Sequence, residues 1–238
     1  MREHCVTVCT MGLVIAAMAA PALGDGVAVG NFAGRIVTGL GQEVGPPPEF
    51  PTRVFATTLA VSGDVAFDDN PGYFGPFGDG FAPGTTIGFD LLAAGRVWNG
   101  TDFFTISDQA IQISSPDGGS SVLVPGDDAS TPGFELIADA SADFDSHPFY
   151  TLLAPAQDGL YLIQMQLNGS GLVTSDPFWI VLNNARSSAE LDEAVQWVRD
   201  TLVPAPGTPV LILIGAPLMI RRRRSRFDPA RVPTRPRF

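Results

Sequence analysis

The sequence predicts an all-β protein: a β-sandwich or jelly-roll-like body of about nine strands, followed by one amphipathic helix and a C-terminal apolar, transmembrane-like segment. Three observations predict it. Across 238 residues, 26 glycines and 21 prolines punctuate short apolar runs, a pattern of turns and short strands. The run GLYLIQMQLN at 159–168 alternates with a period of two. Only one window, SSAELDEAVQWVRDTL at 187–202, carries apolar residues at helical spacing.

The chain opens MREHCVTVCTMGLVIAAMAAPALGDG, with Arg2, an apolar stretch from Met11 to Ala20, and the small residues Ala22 and Gly24 before Asp25. This layout predicts a signal peptide over 1–24, cut by signal peptidase ahead of Asp25. The two cysteines, Cys5 and Cys9, fall inside it, so the mature chain is expected to carry neither disulfide nor thiolate metal site.

The body, 25–186, holds the candidate strands RVFATTLAV (53–61), TTIGFDLL (85–92), DFFTIS (102–107), QAIQIS (109–114), SVLVP (121–125), GFELIA (133–138), FYTLLA (149–154), GLYLIQMQLN (159–168) and PFWIVLNN (177–184). In the eighth, Tyr161, Ile163, Met165 and Leu167 share one face and Gln164 and Gln166 the other, as in a half-buried strand. In the ninth, Phe178, Ile180 and Leu182 oppose Trp179 and Val181. Both faces are apolar, which predicts a covered central strand.

The helix follows at 187–202. Ser187 and Glu190 have capping-box spacing, which satisfies amide donors left free in the first turn. Leu191, Ala194, Val195, Val198 and Leu202 form its apolar stripe, which would pack on the body, the preferred reading, or leave the helix standing as a stalk.

Beyond it, VPAPGTPVLILIGAPLMIRRRRSR (203–226) combines a Pro/Gly collar, an uncharged run from Val210 to Ile220 and the arginines Arg221, Arg222, Arg223 and Arg224. A helix of those uncharged residues would cover roughly 16 Å, against a hydrocarbon core of about 30 Å. Counted from Thr201 through the collar, the segment is long enough to span, with Pro204, Pro206, Pro209 and Pro217 making it irregular. The arginines would then lie on the cytoplasmic side, ahead of a basic cytoplasmic tail at 227–238. Such a segment serves as a temporary membrane stop or as a permanent single-pass anchor.

Pro204-Ala205-Pro206, the short apolar run and the arginine cluster together resemble the PEP-CTERM sorting signal of envelope-bearing bacteria. Ala205 stands where that family usually has Glu, and SRFDPARVPTRPRF extends the chain past the arginines. The resemblance implies recognition by a membrane-embedded exosortase-like enzyme, cleavage near the Pro-x-Pro element, and delivery of the body to the cell surface or extracellular matrix. DDNPGYFGPFGDGFAPGTTIGFDLLAAGRVWNG, TSDPFWIVLNN and the VPAPG collar are similar to planctomycete surface proteins with this type of signal.

Charge excludes one class of partner. Every basic residue is Arg, and between Asp25 and Pro206 there are 23 acidic residues against five arginines. Such a body repels phosphate, so nucleic acid is not an expected partner.

Catalytic chemistry has few candidates. After signal cleavage His147 is the only histidine, its neighbour Ser146 would point to the opposite face of a strand, and no G-x-S-x-G elbow occurs. A lone histidine at a strand edge is expected to be structural. Oxygen ligands on loops suit calcium, and Asp68, Asp69, Asn70 and Asp79 in FDDNPGYFGPFGDG are the candidate ligands; without calcium no cofactor is expected. Tyr73, Phe74, Phe77 and Phe81 in the same stretch would either stack on sugar rings or, as preferred, pack as a small core beneath the loop.

The sequence therefore leads to a secreted surface or matrix protein of non-enzymatic, structural or adhesive type. The alternative is a calcium-dependent or carbohydrate-binding module displayed on the envelope, with an extracellular polymer or glycan as partner. A carboxylate-dependent hydrolase ranks third.

Overall fold

The computed structural model describes residues 26–43, 45–75 and 80–204. The expected signal peptide with Ala22, Gly24 and Asp25, the candidate ligand Asp79, and everything from Ala205 onward, including Pro206 and Arg221 to Arg224, lie outside the described residues. The chain divides into two units, Met1–Val203 and Pro204–Phe238. The first is mostly β, with three sheets and one C-terminal helix, and among the described residues sixteen strands stand where nine were expected.

One sheet has the order β13 (Asp145–Ser146), β6 (Gly72–Phe74), β1 (Gly26–Phe32), β2 (Arg35–Gly41). A second has the order β11 (Ser121–Leu123), β10 (Ile111–Ser114), β14 (Phe149–Leu152), β5 (Val65–Asp68), β4 (Ala60–Ser62), all antiparallel. The third runs β12 (Thr131–Ile137), β7 (Ile87–Leu91), β15 (Gly159–Gly169), β16 (Phe178–Asn184), β3 (Val54–Thr58); β8 (Arg96–Val97) pairs beside β15, and β9 (Thr105–Ile106) beside β8. Among the described strands β1 pairs with β6 and β3 with β16 in parallel, and the other ladders are antiparallel. The second sheet ends on both sides in three-residue strands, and each rim carries one bare apolar side chain, Val61 on β4 and Leu123 on β11.

Local chemistry explains the unexpected elements. The β1–β2 hairpin closes through Ala33 and Gly34, both at positive φ (53° and 86°), the backbone twist that a two-residue hairpin link requires. The Asn31 side-chain oxygen accepts from the Gly34 N–H at 2.9 Å. The single run expected at 53–61 is two strands in different sheets. The chain changes sheet at buried Leu59, whose N–H donates to the Asn183 carbonyl at 2.8 Å. DFFTIS is mostly loop, with only its Thr105–Ile106 portion paired.

Side chains from all three sheets meet in one core: Val27 and Ile36 from the first, Ile111 and Leu152 from the second, Ile163 and Ile180 from the third. Within it two buried tyrosines face each other. The Tyr150 hydroxyl donates to the Tyr73 hydroxyl at 3.1 Å, and Tyr73 in turn donates to the Met165 sulfur at 3.7 Å. Burial raises the pKa of both phenols, because an ion there would lose its hydration.

A second cluster lies on the opposite face of the third sheet. The helix α1 (Ser188–Thr201) lays Leu191, Ala194, Val195 and Val198 over Leu160 and Leu162 of β15 and Trp179 and Val181 of β16. Each large side chain buried this way contributes roughly 1.5–3 kcal/mol. The expected polar second face of β15 is thus polar only from Gln164 onward, since Leu160 and Leu162 sit under the helix. All seven residues of β16 are buried, as expected of a strand covered on both faces. The capping box is formed: the Ser187 hydroxyl accepts from the Glu190 N–H, and the Glu190 carboxylate from the Ser187 N–H, both at 3.3 Å. Leu202 and Val203 pack against this cluster and end the unit.

A candidate ligand-binding cleft beside the helix

All three tryptophans of the chain take part in the wall between α1 and the third sheet. Trp98 and Phe103 approach to 5.0 Å between ring centroids, and Trp197 meets them at 6.0 and 5.9 Å. Trp179 forms part of the sheet floor, with the Arg53 guanidinium 5.2 Å above its ring. Beside this wall opens a cleft of about 180 Å³, lined among others by Arg96, Phe103, Phe104, Gln164, Trp179 and Trp197.

The local sequence builds the cleft's lip. Asn99 and Asp102 organise a tight loop: the Asn99 side-chain oxygen accepts from the Thr101 and Asp102 N–H groups at 2.8 and 3.0 Å. Phe103 then turns inward, 2% exposed, while Phe104 turns outward, 69% exposed. Phe104 is nevertheless fixed at both backbone ends. Its N–H donates to Asp102 Oδ1 at 2.9 Å, and its carbonyl accepts from Arg96 Nη1 at 3.1 Å. Its ring sits edge-on to Trp197 at 5.4 Å. The backbone that carries this exposed ring is thus set before any ligand arrives, which removes the loop-ordering part of a binding cost.

The cations here are committed. Arg96 bonds the Phe104 carbonyl with one terminal nitrogen and Asp128 with the other. Arg53 donates Nε to the Pro177 carbonyl at 2.7 Å, and partial burial lowers its pKa against the opposing pull of Asp176. The Gln164 amide, by contrast, has no side-chain hydrogen bond among the described residues.

Further along the same face a groove of about 300 Å³ is lined by Gly88, Asp90, Phe134, Glu135 and Asn168, among others. Asp90 Oδ2 accepts from the Asn168 amide at 2.9 Å. Asn168 pairs across from Gly88, and Gln166 from Asp90. Register shifts in β12 on either side of Glu135 open the strand edge there.

Three of the residues expected to hold calcium lie among the described residues, at the end of β5 and in the turn after it. Asp68, at the end of β5, accepts from the Thr57 hydroxyl through one oxygen and from the Asp69 N–H at 3.0 Å through the other. Asn70 donates to the Asp69 carboxylate at 3.2 Å. Among the described residues no three His, Cys, Asp or Glu side chains are grouped to hold a metal ion, and Asp79 lies outside them. His147 bridges Asp69 and Asp145, with Nδ1 3.0 Å from the Asp69 carbonyl and Nε2 3.0 Å from the Asp145 carboxylate. Of the loop aromatics, Tyr73, Phe74 and Phe81 are buried rather than exposed for stacking, but Tyr73 and Phe81 belong to the main core and not to a separate small one, and Phe77 is outside the described residues. Pro204, the first residue of the expected sorting element, follows the last packed residues and is exposed. Among the described residues no helix is long and apolar enough to cross a membrane.

Sequence reasoning missed the aromatic cleft. Its one signal was that Trp197 lies off the helix stripe while Phe103 and Phe104 sit side by side in a turn-flanked run.

No family model and no curated protein matches the chain. Among solved structures it is similar to a family 123 glycoside hydrolase from Clostridium perfringens, at 12% identity and a TM-score of 0.27. That match covers 58% of this chain and 24% of the hydrolase, and likeness at this level supports no statement about fold or activity.

Proposed function

We propose that the chain is an exported protein of the cell surface or extracellular matrix, non-enzymatic and structural or adhesive. Its C-terminal segment is a sorting handle processed by an exosortase-like enzyme. In this reading the three sheets form a β-sandwich body that remains after the handle is removed.

One observation carries the proposal: the folded unit closes at Leu202 and Val203, immediately before Pro204-Ala205-Pro206. A cut at that element leaves every described member of both hydrophobic clusters in the body, since the last of them is Val203. The strongly acidic body and the arginine-rich end also suit opposite sides of a membrane.

Intact-mass analysis of envelope-associated protein from the native host tests the reading. A product running from near Asp25 to near Pro204 is expected. Stable surface protein that retains Phe238, or product confined to the cytosol, would overturn it.

A further inference from the structure

We infer that the outer face of the third sheet, from the aromatic cleft to the Asp90 groove, binds a neutral polysaccharide segment. This concerns the folded body alone and holds or fails independently of export.

The argument begins with β15. Gln164, Gln166 and Asn168 alternate with the core residues Met165 and Leu167, so they share its outer face beyond the helix. From Gln164 to Asn168 the strand rises about 14 Å. The aromatic cleft lies at one end of this row and the carboxylate groove at the other. The cleft, at about 180 Å³, is smaller than the ~300–1,000 Å³ of sites for drug-sized ligands, so it takes one small ring.

The chemistry of the row selects the ligand. Phe104 and Trp197 offer apolar surface for the C–H face of a sugar ring, and the Gln164 amide beside them can both donate to and accept from hydroxyls. At the far end Asp90 and Glu135 are acceptors suited to sugar hydroxyl protons. Among the residues that line the cleft and the groove an acidic sugar would find no uncommitted cation, because Arg96 is already engaged, and Asp90 and Glu135 would repel it. The Gln166 amide donates to the Ser175 carbonyl at 2.6 Å and the Asn168 amide to Asp90, so a wholly apolar ligand would strip water from Asp90, Glu135 and the Gln164 amide without replacing their hydrogen bonds. A linear polymer rich in hydroxyls and free of charge satisfies both ends.

Affinity electrophoresis of the full-length chain through gels containing soluble β-glucan, mannan, xylan or galactan, with alginate as the acidic comparison, tests this. At least one neutral polymer should retard the protein. Phe104→Ala, an exposed position, should weaken that retardation about tenfold and Asp90→Asn severalfold, while Phe32→Ala, an exposed aromatic of the first sheet, leaves it unchanged. Gln164→Ala gives a second reading of the cleft should Phe104→Ala lower the melting temperature. The inference fails if no neutral polymer retards the protein, if both cleft variants bind like the parent, or if alginate retards it equally.

Discussion

Raising the pH above 10 should destabilise this protein through two side chains. Tyr73 and Tyr150 are fully buried, and burial raises both phenol pKa values in the folded state. In the unfolded chain each titrates near 10. Because the folded-state values lie above the unfolded ones, the stabilisation is complete below pH ~10 and is lost as pH rises towards the folded values. At pH 11 the unfolded chain has released protons that the folded one keeps, which costs about 1.4 kcal/mol per phenol and roughly 3 kcal/mol for the pair. For a body of this size that lowers the melting temperature by about 6–12 °C. Few other groups contribute: the chain has no lysine, and Tyr161, the one other tyrosine, is raised in the same direction by its burial and leaves a residual slope. Melting curves from pH 8 to 11.5, with tyrosinate absorbance recorded in parallel, give the readout. The Tyr73→Phe/Tyr150→Phe variant should lose most of the alkaline slope. If that variant falls as steeply as the parent, or if all three tyrosines ionise near 10 in the native protein, the reasoning is refuted.

Three further outcomes are expected from packing and local geometry. Leu191→Ala empties a buried position of the helix–sheet contact and should cost about 2–4 kcal/mol in a denaturant titration. Ser187→Ala removes the helix cap and should cost about 1 kcal/mol by the same measurement. Ala33→Asn places a residue that tolerates positive φ in the β1–β2 link and should raise stability by roughly 0.5–1 kcal/mol, read as a higher melting temperature.

Elements carrying their own periodicity were legible. The pattern of 159–168 and the two-faced run at 177–184 became the central strands β15 and β16, and the cap and stripe of 187–202 gave the helix. Where pattern and turn chemistry are weak, the sequence was silent. In β1 and β2 glycines interrupt the apolar residues, and Ala33 occupies a turn position usually marked by Asn or Gly. β5 and β6 flank DDNP, which reads as loop, and nothing local in 53–61 announces that the chain will pass from one sheet to another. The cleft was illegible for a different reason. Its members come from the β8 region, β16 and the helix, and each alone is an ordinary aromatic residue. Only the fold brings 98, 104, 179 and 197 to one place.

The rims of the second sheet have a bearing on how such molecules tolerate crowding. Strands three residues long offer a neighbouring copy very few backbone partners, too few for the bare Val61 and Leu123 to nucleate a growing ladder. Brevity there acts as a safeguard against fibres, and lengthening either rim by a few β-branched residues would remove it.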